Sequence, residues 1–227
     1  MVKKKSRESR IFLFGASGHA KVIVDTLSLN GLHPVGLIDE NPALHHVLDI
    51  PVYHSLESAG IKDSDCLIIS VGDNAVRKEI VARLNWSCFG AAVHPTAFIS
   101  DRSTLGKGTV VMANASVNVD SVIGSHCIIN TNCSVDHECV LHDYVHLSPN
   151  VALAGNVVVG EGAHIGIGAA VIQNVKIGKW ATIGGGAVII RDVPDYAVVV
   201  GNPGRVIKYR EQESINVPGK IVMDNEQ

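Results

Sequence analysis

A six-residue periodicity runs without interruption from Val93 to Pro194 and restricts the fold more than any other feature of this chain. The segment divides into seventeen units whose first position is always a branched aliphatic residue and whose fifth position is always small or β-branched. If aliphatic residues fill roughly 30% of an ordinary sequence, seventeen in a row at one phase have a chance probability on the order of 10⁻⁹. The repeat must therefore be structural.

A period of six matches neither a helix nor a flat sheet, but it suits a parallel β-helix, in which each coil has three short strands and three tight turns. The first position would fill the inside of the prism, and the fifth would let the chain turn inward at a corner. Seventeen units make a prism roughly 27 Å tall at about 4.8 Å per strand spacing. We expect glycine and asparagine at the second position to supply unusual corner angles. These residues are Gly106, Gly124, Gly160, Gly166, Gly178, Gly184, Asn118 and Asn130.

The composition supports this interpretation and excludes several functions. Hydrophobic residues make up 46% of the chain and aromatic residues only 4%, which suits a core of Val, Ile and Ala. The net charge of −3 offers no electrostatic basis for binding nucleic acid. We find neither a run of about eighteen apolar residues nor a signal peptide, so we expect a cytoplasmic protein without membrane insertion. Cys127, Cys133 and Cys139 occupy inward positions and are expected to be buried free thiols.

The first ninety residues follow a different pattern, in which apolar runs alternate with helical segments. Residues 11–14 predict a strand, followed by a glycine loop and a helix over residues 20–27. Two more strands are predicted within residues 34–40 and 66–72, and a second helix from about Asn74 to Leu84. Such alternation implies a small parallel sheet with a ligand site at the carboxyl ends of its strands. We therefore predict a Rossmann-like half domain over 1–90, a β-helix over 91–194 and a C-terminal extension over 195–227.

The glycine loop resembles part of a dinucleotide-binding fingerprint but departs from it. The full pattern is G-x-G-x-x-G, whereas Ser17 replaces the second glycine and Val22 stands near the third. Asp39 is at a suitable spacing for a ribose hydroxyl, but about eighty residues build only one mononucleotide half. An NAD site, a nucleoside-diphosphate site and a loop that merely turns the chain all remain open. A helix start can bind phosphate, and a nucleotide sugar fits the size of the predicted site.

The pair His137 and Glu138 occupies the third and fourth positions of the eighth unit. The third position lies on the outside of the prism, so this imidazole is not a core residue. Most lone surface histidines have no special role. Here, however, the adjacent carboxylate would hold one ring nitrogen and leave the other free as a general base.

The length of one coil adds a geometric prediction. Since a coil has eighteen residues, Gly155 should lie directly above His137 and leave its own N–H open to a ligand. His146 is half a coil further along and should lie on another face. These two histidines would then meet only between prisms packed side by side about a threefold axis.

From residue 11 to about residue 208, the chain resembles the bacterial nucleotide-sugar acetyltransferases, the group of the bacillosamine-pathway and perosamine N-acetyltransferases and the sialic-acid O-acetyltransferases. The resemblance rests on Gly-Ala-Ser-Gly-His-Ala-Lys at 15–21, Val-Asp-His-Glu-Cys at 135–139 and Gly-Asn-Pro-Gly-Arg at 201–205. It implies a left-handed β-helix, which the period alone does not establish. It also implies an acetyl-CoA-dependent N-acetyltransferase acting on a nucleotide-linked 4-amino-4,6-dideoxy sugar in surface-glycan biosynthesis. Acetylation of a sugar hydroxyl is the alternative.

The same resemblance implies roles for individual residues. His137 would be the catalytic base, paired with Glu138. His146 and the backbone at Gly155 and Gly185 would face the thioester and pantetheine of acetyl-CoA. The residues implied for the nucleotide diphosphate and the sugar are Gly18, His19, Lys21, Asp39 and Asn130. Because a thioester is already activated, we expect direct transfer without a covalent enzyme intermediate, with a backbone N–H near Gly155 stabilising the oxyanion.

A metalloenzyme of the carbonic-anhydrase type is a more distant alternative, because β-helices of this kind also carry metal-dependent hydration. The spacing of His137 and His142 suits two ligands from one chain, but Asp101 stands where the third histidine is expected. We therefore expect no metal cofactor. A purely structural role is a further alternative, which a test of acetyl-CoA binding would address.

The outward-facing aliphatic residues of the repeat predict assembly. Val110, Val122, Ile128, Val140 and Val158 would form flat apolar faces that need cover. We expect a homotrimer, with a site in each groove between neighbouring prisms.

Overall fold

The computed structural model describes residues 10–211. The basic run at residues 3–5 and the last part of the predicted C-terminal extension, residues 212–227, lie outside the described residues. Neither of the two helices in the described part is long and apolar enough to cross a membrane.

The amino-terminal part is a five-stranded sheet with strand order β3-β4-β2-β1-β5. Its elements are β1 Ile11–Phe14, α1 Gly18–Leu29, β2 Gly36–Ile38, β3 His46–Val47, β4 Ile50–Tyr53, β5 Cys66–Ile69 and α2 Asn74–Leu84. Strands β1, β2, β4 and β5 are parallel. The sequence predicted β1, β2 and β5, whereas β4 was not predicted. The antiparallel pairing of β3 with β4 was not predicted, because β3 has only two residues. Cys66 and Cys88 form a disulfide, while the three cysteines of the repeat are free and buried.

The repeat forms a β-solenoid of seventeen two-residue strands. They are β6 Ala92–Val93, β7 Phe98–Ile99, β8 Thr104–Leu105, β9 Val110–Val111, β10 Ser116–Val117, β11 Val122–Ile123, β12 Ile128–Ile129, β13 Ser134–Val135, β14 Val140–Leu141, β15 His146–Leu147, β16 Ala152–Leu153, β17 Val158–Val159, β18 His164–Ile165, β19 Ala170–Val171, β20 Lys176–Ile177, β21 Thr182–Ile183 and β22 Val188–Ile189. Each strand ends on the aliphatic first position of a unit, and each pairs in parallel with the strand eighteen residues away. First-position and fifth-position residues together form one continuous core.

Three sheets make up the walls of the prism. One contains β7, β10, β13, β16, β19 and β22, and another contains β8, β11, β14, β17 and β20. The third, which we call the domain-facing sheet, runs from β6 through β9, β12, β15, β18 and β21 to β23 Ala197–Val200 and β24 Arg205–Tyr209. Strands β23 and β24 pair antiparallel at its end.

The corner angles differ from the sequence prediction. The left-handed backbone conformation occurs at the fourth position of fourteen consecutive units, from Gly108 to Gly186, and not at the second. Asparagine fills five of these fourth positions, and glycine, aspartate, glutamate, histidine, tyrosine and tryptophan fill the others. The solenoid therefore places its left-handed turn one step before the inward fifth residue.

The second-position glycines have a different physical reason. None of the six has a positive φ. A Cβ on Gly160 would lie 2.5 Å from the backbone nitrogen of Lys179, and one on Gly166 would lie 2.6 Å from the carbonyl oxygen of Ile183. These glycines thus allow successive coils to stack closely, since no side chain fits between them.

The amino-terminal domain packs on the first strands of the domain-facing sheet, β6, β9 and β12. Ala20 and Ile23 of α1 belong to the same buried cluster as Ala92, Val110 and Ile128 of the solenoid. Val110 and Ile128 are each only 1% exposed. For these two residues the prediction was wrong, because the chain's own first domain covers them and no second chain is needed.

Candidate active site

His137 lies on the corner that follows β13, with its imidazole outside the prism. Its Nδ1 is 3.0 Å from Oε2 of Glu138, and the two side chains are 52% and 64% exposed. Asp136 supports this corner, because its Oδ1 accepts the His137 backbone N–H at 2.8 Å and the Asn118 amide at 3.1 Å. Those hydrogen bonds, led by the one from Asn118, lower the pKa of Asp136. Since Nδ1 faces Glu138, Nε2 of His137 is the nitrogen free for a substrate.

Gly155 lies one coil above His137, as the eighteen-residue repeat predicts. The backbone N–H of Asn156 donates to the carbonyl of His137 at 2.9 Å. A Cβ on Gly155 would lie 2.5 Å from Nε2 of the imidazole, so any larger residue here would displace the ring. Within residues 10–211 the Gly155 N–H has no protein acceptor, which leaves a donor next to the candidate base.

His146 lies on β15 of the domain-facing sheet, at its contact with the first domain. Its Nδ1 is 3.2 Å from the carbonyl oxygen of Gly72, and its Nε2 is 3.4 Å from the amide nitrogen of Asn130. Its ring stacks on that of His164, with centroids 4.7 Å apart and an interplanar angle of 6°. His164 in turn has its Nε2 2.8 Å from Oγ of Ser148.

His146 is neutral in the folded protein at neutral pH. Burial lowers the pKa of His146 to about 3, and the nearby charges of His164, Arg77 and His19 act in the same direction. Burial and the charge of Arg77 likewise lower the pKa of His19 to about 4. Side chains from α1, α2 and the solenoid therefore converge on one weakly solvated crevice.

The glycine loop leads into α1 at the carboxyl end of β1. Gly15 adopts a φ of +105°, and a Cβ there would lie 2.8 Å from the side chain of Val71. The Ser70 hydroxyl donates to the carbonyls of Phe14 and Gly15, which fixes the loop to β5. A Cβ on Gly18 would meet no atom within 4 Å, so the space beside the helix start is open.

Three more residues of this region were predicted to bind substrate. His19 has a buried Nε2 without a hydrogen-bond partner in the described part of the chain. Lys21, two residues further along α1, is exposed. Asp39 accepts the backbone N–H of Ala16 at 2.8 Å and that of Asn41 at 3.0 Å, so its carboxylate joins two loops at the end of the sheet.

The predicted site residues thus form two groups within one chain. His137, Glu138 and Gly155 lie on the corner after β13 and β16, which belong to a different wall from the strand of His146. The other group consists of residues of the first domain and residues of the domain-facing sheet with the corner that follows it. Its members are Gly18, His19, Lys21, Asp39, Asn130, His146 and Gly185. The filled core separates the two groups.

Sequence reasoning missed several residues in the crevice between the domains. His164 is one coil above His146, so adding eighteen to 146 would have found it. A cavity of about 300 Å³ is lined by both histidines, by residues 72–75 at the start of α2, and by Gly162, Trp180 and Arg210. Arg77 is 1% exposed, and nothing in the sequence except its place in a helix distinguishes it from a surface arginine. Among residues 10–211 we find no group of three His, Cys, Asp or Glu side chains arranged to hold a metal ion.

Comparison with known proteins adds an independent finding. Residues 10–84 match the family model of the PglD N-terminal domain. A histidine-to-asparagine mutant of the perosamine N-acetyltransferase from Caulobacter crescentus, solved with CoA and GDP-perosamine, is 36% identical with a TM-score of 0.82, and the match covers 87% of this chain and 96% of that one. The acetyltransferase domain of PglB from Neisseria gonorrhoeae is 33% identical with a TM-score of 0.82, and here 88% and 100% are covered.

Matches to curated sequences are shorter. The UDP-N-acetylbacillosamine N-acetyltransferase of Bacillus subtilis is 45% identical over 48 residues, which is 20% of this chain. An uncharacterised protein of Acanthamoeba polyphaga mimivirus is 27% identical over 111 residues. Each match spans 22% of the relative's own length.

Proposed function

Because this chain belongs to the left-handed β-helix family of sugar N-acetyltransferases, we propose that it transfers the acetyl group of acetyl-CoA to the amine of a nucleotide-linked 4-amino-4,6-dideoxy sugar. The similar structures that hold CoA and GDP-perosamine support both ligand classes. We assign to the protein the formation of a building block for surface glycans, in the cytoplasm, where acetyl-CoA is used.

The observation that carries this proposal is the pair of His137 and Glu138 beside Gly155. The Glu138 carboxylate accepts a hydrogen bond from Nδ1–H and orients the ring, so Nε2 holds the lone pair of a general base. The amine nitrogen attacks the thioester carbon, and Nε2 takes the proton that the amine loses. The carbon–sulfur bond then breaks, and the proton passes from the imidazolium to the departing thiolate of CoA.

Backbone donors complete the acetyl-CoA site in this proposal. The N–H of Gly155, which lies beside the His137 ring, would stabilise the negative charge that develops on the carbonyl oxygen. Gly185, whose N–H also has no protein acceptor within residues 10–211, and His146 contact the pantetheine arm. Cys139 is not a nucleophile here, because it is buried and burial raises the pKa of its thiol.

The first domain binds the nucleotide diphosphate. The start of α1 offers backbone N–H groups at an open position beside Gly18, and the partial positive charge of the helix terminus favours phosphate. His19 and Lys21 add a donor and a positive charge, while Asn130 lies near the sugar. Asp39 acts by holding the loop, since its contacts to Ala16 and Asn41 support that arrangement.

The complete site is shared between chains of a homotrimer. The two groups of site residues lie on different walls of a filled prism, so a single chain does not unite them. Val122, which is 46% exposed, and the partly exposed Val140 and Val158 form an apolar strip on a wall that the first domain does not cover. A second prism on this strip would bring the His137 of one chain to the His146 of the next.

A substrate screen tests the proposal. The purified protein is incubated with acetyl-CoA and a panel of nucleotide-linked sugars that carry an amine or only hydroxyls, and products are identified by mass spectrometry. The expected result is addition of one acetyl group to an amino sugar, stable to mild base as an amide. A base-labile product would indicate an ester, and transfer to none of the sugars would contradict the proposal.

A further inference from the structure

Arg77 is a buried cation that ties the two domains together. It extends from α2, is 1% exposed, and donates to backbone carbonyls of both domains. On the solenoid side its Nε donates to the carbonyl of His126 at 2.8 Å and its Nη2 to that of Tyr144 at 3.0 Å. On its own side it donates to the carbonyls of Val71 and Gly72 at 3.0 and 3.1 Å.

Within the described residues, no carboxylate forms a salt bridge with this guanidinium. Among residues 10–211 the salt bridges do not include Arg77, and its remaining hydrogen bonds go to the carbonyl of Asp73 and the side-chain oxygen of Asn74. A planar fork with five donors can satisfy several carbonyls at fixed angles, which a lysine ammonium cannot reproduce. The geometry therefore requires arginine specifically at this position.

One of these carbonyls also belongs to the candidate site. The oxygen of Gly72 receives the Arg77 guanidinium at 3.1 Å and faces Nδ1 of His146 at 3.2 Å. A carbonyl is only an acceptor, so Nδ1 must carry the proton of the neutral ring. Nε2 of His146 then holds a lone pair, in agreement with the donor at Asn130 beside it.

We propose that Arg77 is a positioning residue, which holds the Gly72 carbonyl and thereby fixes His146 as the Nδ1–H tautomer, with Nε2 as a hydrogen-bond acceptor for acetyl-CoA. This inference rests on the proposed function for the contact between His146 and acetyl-CoA. It specifies that contact, because an acceptor at Nε2 pairs with an amide N–H of the pantetheine arm and does not donate to the thioester oxygen. The pantetheine N–H would take the place of the Asn130 amide, whose nitrogen is 3.4 Å from Nε2.

The charges around His146 keep the ring in this state. His164 on β18, Arg77 on α2 and His19 on α1 all lower its pKa, in addition to burial. Protonation of Nε2, which would convert the acceptor into a donor, is therefore suppressed at neutral pH.

The test combines ¹⁵N NMR of the imidazoles with steady-state kinetics on the full-length protein. Wild type is compared with Arg77→Lys and with Arg83→Lys, a control on the exposed side of the same helix, where Arg83 pairs with Glu40. His146→Gln identifies the resonances. We expect the Nδ1–H tautomer in wild type and the control, and a mixture of tautomers in Arg77→Lys. The kcat/KM of Arg77→Lys for acetyl-CoA should fall by about 10–100-fold, since small displacements of positioned groups have effects of this size.

Several outcomes would overturn the inference. An Nε2–H tautomer of His146 in the wild-type protein would overturn the inference. This measurement needs no variant, so the test does not depend on the folding of Arg77→Lys. A loss of activity in Arg77→Lys with an unchanged His146 tautomer would indicate a merely structural role, as would equal losses for both substrates. If wild type transfers no acetyl group, the proposed function fails, whereas the tautomer comparison still decides whether Arg77 acts on His146.

Discussion

Among single residues, the proposed acetyl transfer depends most on His137, whose exposed imidazole makes one hydrogen bond, to Glu138. His137→Ala should lower kcat by about 10²–10⁴-fold, the usual contribution of a general base. Glu138→Gln should cost less, because it weakens the orientation of the ring without removing it. Both variants should unfold at the wild-type temperature, since the side chains lie outside the core. Near-normal turnover of His137→Ala at saturating substrate would instead direct attention to His146 of the neighbouring chain.

His126 shows how a buried histidine makes stability depend on pH. It is 1% exposed, neither ring nitrogen has a partner in the described part, and its ring lies between Phe89 and Tyr144. Burial, with the charges of Arg77 and Lys107, lowers the pKa of His126 to about 4. The folded pKa is below the unfolded value near 6.5, so its stabilising effect is complete above pH 6.5 and is lost as the pH falls towards 4.

His126→Phe should remove this dependence. The left-handed corner conformation already accommodates Tyr144 and Trp180 at equivalent positions, so an aromatic residue is tolerated. Between pH 7.5 and pH 5 the variant should lose about 1–2 kcal/mol less stability than wild type, measured by urea denaturation at each pH. Identical pH profiles for the two proteins would show that His126 is not the group responsible.

At the scale of single elements, the solenoid uses glycine for two separate reasons. A Cβ on Gly160 collides with the next coil, whereas Gly168, with a φ of +66°, has open space around it. Gly160→Ala should destabilise the protein by about 1–3 kcal/mol, as expected for overpacking. Gly168→Asn should be nearly neutral, because Asn150 and Asn132 occupy the same corner row and hydrogen-bond each other at 3.2 Å. Denaturant midpoints of the two variants provide the measurement, and equal losses would refute the distinction.

The start of α1 offers a second element-scale test. Since a Cβ on Gly18 meets no protein atom, Gly18→Val does not disturb packing but fills the open space next to the helix terminus. We expect weaker binding of the nucleotide sugar and unchanged binding of acetyl-CoA, both measured by isothermal titration calorimetry. Loss of both ligands would point to misfolding, and unchanged sugar affinity would assign the loop a structural role.

At the scale of the whole molecule, the decisive question is whether one active site uses two chains. If the protein is the proposed homotrimer, the His137→Ala protein and the Gly18→Val protein should each be nearly inactive. Mixed trimers from co-expression should recover about one quarter of wild-type activity, because one quarter of randomly formed interfaces combine an intact His137 with an intact loop. No recovery in mixed trimers of verified composition would place the whole site within one chain.

The solenoid, its core and the exposure of His137 could be predicted from the amino-acid sequence alone. These properties follow from a local pattern, since each unit contributes one strand and one corner regardless of the rest of the chain. The same period predicted that Gly155 lies above His137, and eighteen-residue register confirms it. Corner angles were assigned to the wrong position, because the pattern shows where glycine occurs but not whether φ or close stacking requires it.

The position of the first domain on the prism could not be predicted from the sequence. That contact depends on the shapes and donors of residues far apart in the chain, such as Arg77 with His126 and Tyr144, and no period relates them. It covers Val110 and Ile128 and brings the Gly72 carbonyl to His146. The protonation state of that histidine is therefore a product of domain packing, which buries the ring and surrounds it with positive charge.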